Sequence, residues 1–257
     1  PVQAGEVSAF QSQQEDPKQP SANNTTLYIY SDGMNNFWSH FSNNDTDSTD
    51  VYTEEDENGV ITIKQRYLMT PTLDKRLSME VGGEIRGNFN VYFEGDSDST
   101  DNQGPCQPSQ TPNDCDWLNI TIFKGQTKVY QHTETPWPSG QWKNIQFSYF
   151  VEEGNETWDG RDANPLVEVT MKVKGDYQEN NFVFASGTPG AFGIELGEKG
   201  SLLFPVDAAS WDETFQEGGE IGEGPASEDS PGFGLVVASA AIAMAAFINQ
   251  RRPETEE

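Results

Sequence analysis

Positive charge is scarce in this chain: 15 Lys and Arg stand against 42 Asp and Glu, a formal net charge of −27. Such a balance argues against nucleic acid or anionic lipid as a partner. There are only two histidines, His40 and His132, and two cysteines. No Gly-x-Ser-x-Gly elbow, His-Glu-x-x-His pair or phosphate-cradling glycine loop occurs, so the chemistries those motifs serve have no residues to run on. Carboxylate pairs suited to glycoside hydrolysis are too easily found among so many acids to mark a site. No catalytic residue is assigned and no organic cofactor is expected. A helical period is also missing before residue 231, which excludes a helix bundle.

What is present is alternation. Leu27 and Ile29 alternate with Tyr28 and Tyr30 before the turn signal Asp32-Gly33, and Ile61, Ile63, Tyr67 and Met69 share one face of a second segment. From Leu77 to Phe93 the apolar residues hold odd positions. One strand of that length would reach about 56 Å, far beyond the usual, so Gly82-Gly83 is expected to divide it and Gly87 to mark a bulge. Leu118–Ile122, Ile145–Val151 and Val167–Val173 repeat the pattern, and Phe182–Phe184, Phe192–Leu196 and Leu202–Val206 add shorter candidates. About nine strands with long loops predict an all-β fold, an antiparallel β-sandwich of jelly-roll type.

The sandwich is expected over 23–206, after a polar N-terminal arm at 1–22. A spacer follows at 207–230, with eight acids and no Lys or Arg, which self-repulsion keeps extended. The run Phe233–Ile248 carries no charge, and as a helix it is about 24 Å long, enough to span a thin bilayer with flanking arginines at the interface. Arg251 and Arg252 follow the run, which puts the C-terminus, with its acidic tail 253–257, in the cytoplasm and the preceding chain outside. An exported chain starting at Pro1 is expected to have lost a signal peptide.

Pro231-Gly232-Phe233, an Ala/Val/Ile-rich segment and a terminal basic pair, together 231–252, resemble the PGF-CTERM sorting signal of euryarchaeal cell-surface proteins. The resemblance implies that an archaeosortase-like enzyme recognises Pro231, Gly232 and Phe233, removes the membrane helix and leaves the protein on a lipid anchor. More weakly, the pattern of Glu94–Val206, ending in Gly197–Val206, is similar to galactose-binding-type jelly-roll accessory domains.

Several groups are candidate sites. Cys106 and Cys115 lie close together, and in an exported chain they are expected to form a disulfide. Asp45, Asp47 and Asp50 recur in spacing as Asp96, Asp98 and Asp101. Carboxylates so spaced can converge on calcium, or they form solvated acidic loops. Trp137, Trp142 and Trp158 stack on sugars if they stand on loops, or cover the ends of the core. Glycosylation sequons begin at Asn23, Asn24, Asn44, Asn119 and Asn155. The expected function is non-catalytic binding of carbohydrate or a surface glycoprotein at the outer face of the membrane. A glycan-degrading enzyme and a structural envelope component are the alternatives.

Overall fold

The computed structural model describes residues 16–56, 59–74, 76–98, 100, 105–106, 115–159, 161–175 and 187–207. The expected strand at Phe182–Phe184, Asp101, and the spacer and sorting segment from residue 208 onward lie outside them.

The described chain is all-β, with one turn of 3-10 helix at Arg161–Ala163. Strands β1 (Thr26–Ser31) and β2 (Phe37–His40) form a hairpin across a turn in which Gly33 takes φ 78°. There follow β3 (Val51–Asp56), β4 (Val60–Met69), the short β5 (Leu77–Ser78) and β6 (Glu84–Glu94). Beyond the disulfide come β7 (Asp116–Lys124), β8 (Thr127–Glu134), β9 (Gln141–Phe150) and the short β10 (Thr157–Trp158). The last are β11 (Pro165–Lys174), β12 (Gly190–Glu195) and β13 (Gly197–Leu203).

Eleven strands form one sheet in which β6 is central. It pairs with β9 from Glu84 to Phe93 on one edge, and its other edge is shared by β12 and β13. The path continues from β13 through β1, β2, β4, β11 and β7 to β8. The inward residues of β6 and of β4, β7 and β11 fill one core, including Phe89, Val91, Ile63, Tyr67, Ile120 and Val169. Rings join strands far apart in the order: Phe37 of β2 meets Tyr52 of β3 at 5.1 Å, and Tyr130 of β8 meets Phe147 of β9 at 5.6 Å. The sheet is therefore folded over on itself. Alternation along each strand sends one set of side chains inward and leaves the other on an outer face.

Three features depart from the sequence expectation. The sheet is mixed rather than purely antiparallel, because β2 runs parallel to β4 at Trp38 and Ser39. Gly87 is not a bulge. It stands in register opposite Phe147, where a Cβ would collide with the Phe147 ring. Residues 16–24 of the expected arm and its junction are tied to the sheet: Lys18 O accepts from Phe41 N, and the buried Gln19 side chain donates to Thr72 O and accepts from Asp74 N. The expected disulfide is present between Cys106 and Cys115, with Cα atoms 5.9 Å apart. Asp96 anchors this region by accepting the Cys106 amide on its carboxylate.

Candidate functional site

The outer face of β6 and β9 gathers the residues best suited to hold a ligand. Register places Asn88 opposite Gln146, Asn90 opposite Asn144 and Tyr92 opposite Trp142. All six side chains stand on the face away from the core because their strand neighbours, such as Phe89, Val91, Ile145 and Phe147, point into it. Four carboxamides thus stand in two cross-strand pairs, and an aromatic pair closes one end.

That end is built by packing. The Trp142 ring lies 5.5 Å from Tyr92 and remains 44% exposed. Gly193 of β12 stands opposite Tyr92, and a Cβ there would come within 3.2 Å of the indole. Glycine therefore leaves room for the ring to lie across the neighbouring strand. Tyr92 donates its hydroxyl to Glu94 at 2.7 Å, and this bond pushes the phenol up to about 12.

Three of the four carboxamides are held by hydrogen bonds. Asn144 Nδ2 donates to Asn88 Oδ1 at 2.9 Å, Asn88 Nδ2 donates to the Glu198 carbonyl at 3.2 Å, and Asn90 donates to Glu195. Lys199 holds the other Glu195 oxygen at 2.8 Å. Burial alone would raise the Glu195 carboxyl, but Lys199 and Asn90 hold it below the usual range. It is therefore an anionic acceptor at neutral pH. Along the same face a depression of about 590 Å³ is lined by Arg86, Asn88, Gln146, Ser148, Ser201 and Leu203, within the size range of small-ligand sites. From Trp142 to Ser148 the face runs about 20 Å at strand rise.

The other tryptophans are placed differently. Trp158 is fully buried and Trp137 is 9% exposed. Trp137 meets Phe93 edge-on at 4.7 Å and donates to the Gln141 carbonyl at 2.8 Å. Both rings cover the core, and only Trp142 of the three offers its face to solvent. The sequence points to Trp142 but not to its companions: Asn88 and Asn90 hold even positions between the apolar residues of their strand, and nothing in the sequence shows that β9 sets Asn144 and Gln146 beside them.

In the first acidic loop, Asp45 is a structural acceptor. Its Oδ2 receives Nε2–H of His40 at 2.7 Å and Nε1–H of Trp38 at 2.9 Å, its Oδ1 receives the Asp47 amide, and Lys18 lies 3.6 Å away. Burial would raise this carboxyl, but the bonds from His40 and Trp38 prevail and bring it down to about 2. Burial also holds the His40 imidazole below its usual value despite the adjacent carboxylate. The contact is therefore a neutral imidazole donating to an anion, and His40 Nδ1 is buried without a hydrogen-bond partner. Asp47 and Asp50 are exposed.

In the second loop Asp96 accepts the amides of Asp98 and Cys106, and Asp98 accepts from Thr100 and Trp117. Among the described residues no group of three or more His, Cys, Asp or Glu side chains is arranged to hold a metal ion. Of the sequon residues, Asn23 and Asn44 are exposed and Asn155 is half-buried. Asn24 donates to two backbone carbonyls, Pro17 and Gln19, and Asn119 is engaged with Trp117, Gln131 and Thr133.

No protein-family model matches this chain, and no curated protein matches it. Among solved structures it is similar to a mutant VP2 protein of infectious bursal disease virus, at 13% identity and a TM-score of 0.23, over 64% of this chain and 39% of that one. A structure of the Gx strain of the same virus matches at 10% identity and a TM-score of 0.20, over 77% of this chain and 48% of that one. The chain thus spans less than half the length of either. Neither likeness bears on function.

Proposed function

We propose that this is an exported, membrane-anchored cell-surface protein whose jelly-roll β-sandwich binds carbohydrate without cleaving it. The observation that carries the proposal is the exposed Trp142 ring beside a ladder of oriented carboxamides. Sugars present apolar faces that an indole can cover and hydroxyls that amides and carboxylates can fix. Glu195, held anionic by Lys199 and Asn90, adds a carboxylate acceptor for sugar hydroxyls beside the amides.

Export and anchoring are supported by the disulfide, the exposed sequons at Asn23 and Asn44, and the segment from Pro231 with its uncharged run and terminal arginines. Among the described residues no helix is long and apolar enough to cross a membrane; the run Phe233–Ile248 lies beyond them.

Applied to a panel of immobilised glycans, the full chain is expected to bind at least one saturably and to release no reducing ends. Turnover of a bound glycan, or failure to bind any, contradicts the proposal. The anchor has a separate test in the intact mass of protein recovered from its native membrane. A mass truncated near Pro231 with added lipid is expected, and a full-length unmodified mass excludes processing.

A further inference from the structure

A second depression, of about 700 Å³, lies over β2 and β4 and is lined by Asn35, Asn36, Trp38, Lys64, Arg66 and Thr70, with Phe37. Its charge sets it apart. Acids outnumber bases by nearly three to one in this chain, yet this depression has two bases in its lining and no acid.

Lys64 and Arg66 are two residues apart on β4, so they share its outer face. Lys64 stands opposite Thr170 of β11, and Arg66 opposite Glu168. The Glu168 carboxylate engages Arg66 through Nε at 3.3 Å, and the guanidinium carries further donors suited to a planar oxyanion. Its carbon lies 5.9 Å from the centre of the Phe123 ring, which braces it on the side of β7. Lys64 adds a compact charge whose strand neighbour is a hydroxyl rather than an acid.

The rest of the lining suits a sugar. Trp38 has its indole N–H committed to Asp45, so the group it offers the depression is its ring. Asn36 is fixed by Asp32, whose carboxylate accepts the Asn36 side chain at 2.5 Å and the amides of Met34 and Asn36. That network, led by the Asn36 side-chain bond, holds the Asp32 carboxyl below its usual range. Asn35 and Thr70 provide further hydrogen-bonding groups at the rim.

We infer that this depression binds an oxyanion carried on a sugar, either the carboxylate of a uronate or a sulfate ester. The sugar rests on the glycan-binding proposal above; the oxyanion rests on Lys64 and Arg66. A net charge of −27 repels such ligands at long range, but at about 0.1 M salt that field is screened beyond about 10 Å, whereas contacts inside the depression are not.

The test is calorimetric titration of the full chain with three hexasaccharides: a galacturonate oligomer, a sulfated glucose oligomer and its unsulfated counterpart. At least one anionic oligomer is expected to bind tenfold or more tightly than the neutral one. That preference is expected to fall to near unity in the Lys64→Gln/Arg66→Gln double variant and to fall only in part in Arg66→Lys, which keeps the charge and loses the fork. Both positions face solvent, and an unchanged melting temperature verifies folding. Which anionic oligomer is preferred distinguishes uronate from sulfate ester. Equal binding of all three overturns the inference while glycan binding stands, as does an anionic preference that survives the double variant. Binding of none of the three, nor of any glycan on the wider panel, removes both.

Discussion

An alanine in place of Trp158 is expected to lower the stability of the protein by about 4 kcal/mol, within the range for deleting a buried aromatic ring. The indole is fully buried, meets Phe204 edge-on at 5.5 Å, and donates its N–H to the Asn155 carbonyl at 2.9 Å. Phe204 in turn packs 5.9 Å from Phe41. Trp158 therefore closes a ring cluster, and its own strand reaches only Leu77 and Ser78 through the two-stranded β10–β5 ladder. The substitution removes packing, leaves a void between Phe204 and that ladder, and strips the Asn155 carbonyl of its donor. Urea unfolding measures the loss. A cost under about 0.5 kcal/mol, the range of surface substitutions, would show that the ring is not part of the core.

Asp45→Ala ranks next, at about 3 kcal/mol near neutral pH, because it leaves two N–H donors, on the buried His40 and the half-buried Trp38, without an acceptor. The same carboxylate determines part of the acid response. Its folded value of about 2 lies below the ordinary 3.8, so the unfolded chain binds the proton more readily. The stability it contributes is present above about pH 4 and is lost as pH falls toward 2, amounting to about 2 kcal/mol. His40 acts in the same direction at higher pH. Its folded pKa is depressed below 6.5, so stability is lost as pH falls below that value and the unfolded chain takes up a proton the buried ring resists. In the Asp45→Ala variant the loss between about pH 4 and 2 should shrink, and stability measured across pH checks this. An unchanged acid limb would mean that Asp45 is not the group responsible.

Much of the fold was legible because burial on one side writes period two into a strand. β4 and β6 carry it from end to end, and β9 and β11 carry it over the stretches Ile145–Tyr149 and Val167–Lys174. The strands that escaped notice are those without a clean inward face. β8 has no fully buried residue, β3 has only Tyr52, and β2 is four residues long. Gly87 illustrates a different limit: a glycine in a strand reads as a bulge, and only the partner strand shows that Phe147 requires its missing side chain.

The sites divide along the same line. The disulfide was readable from two nearby cysteines in a chain with no others. The role of Asp45 was obscured by its resemblance to a calcium-loop aspartate. The signal that could have found it is Trp38 and His40, two donors two residues apart on one strand face shortly before an acid. The carboxamide ladder was invisible for a simpler reason: Asn88 and Asn90 alternate like any solvent-facing residues, and their meaning comes from pairing with a strand more than fifty residues away.

The central claim is that the Trp142 face binds carbohydrate. Its most direct test is titration of the wild-type chain and of Trp142→Ala with the glycan that binds best on the panel. The expected result is saturable wild-type binding, at least tenfold weaker in the variant, with the urea midpoint nearly unchanged because the ring stands outside the core. Equal affinity in the two proteins would contradict it and place the ligand elsewhere.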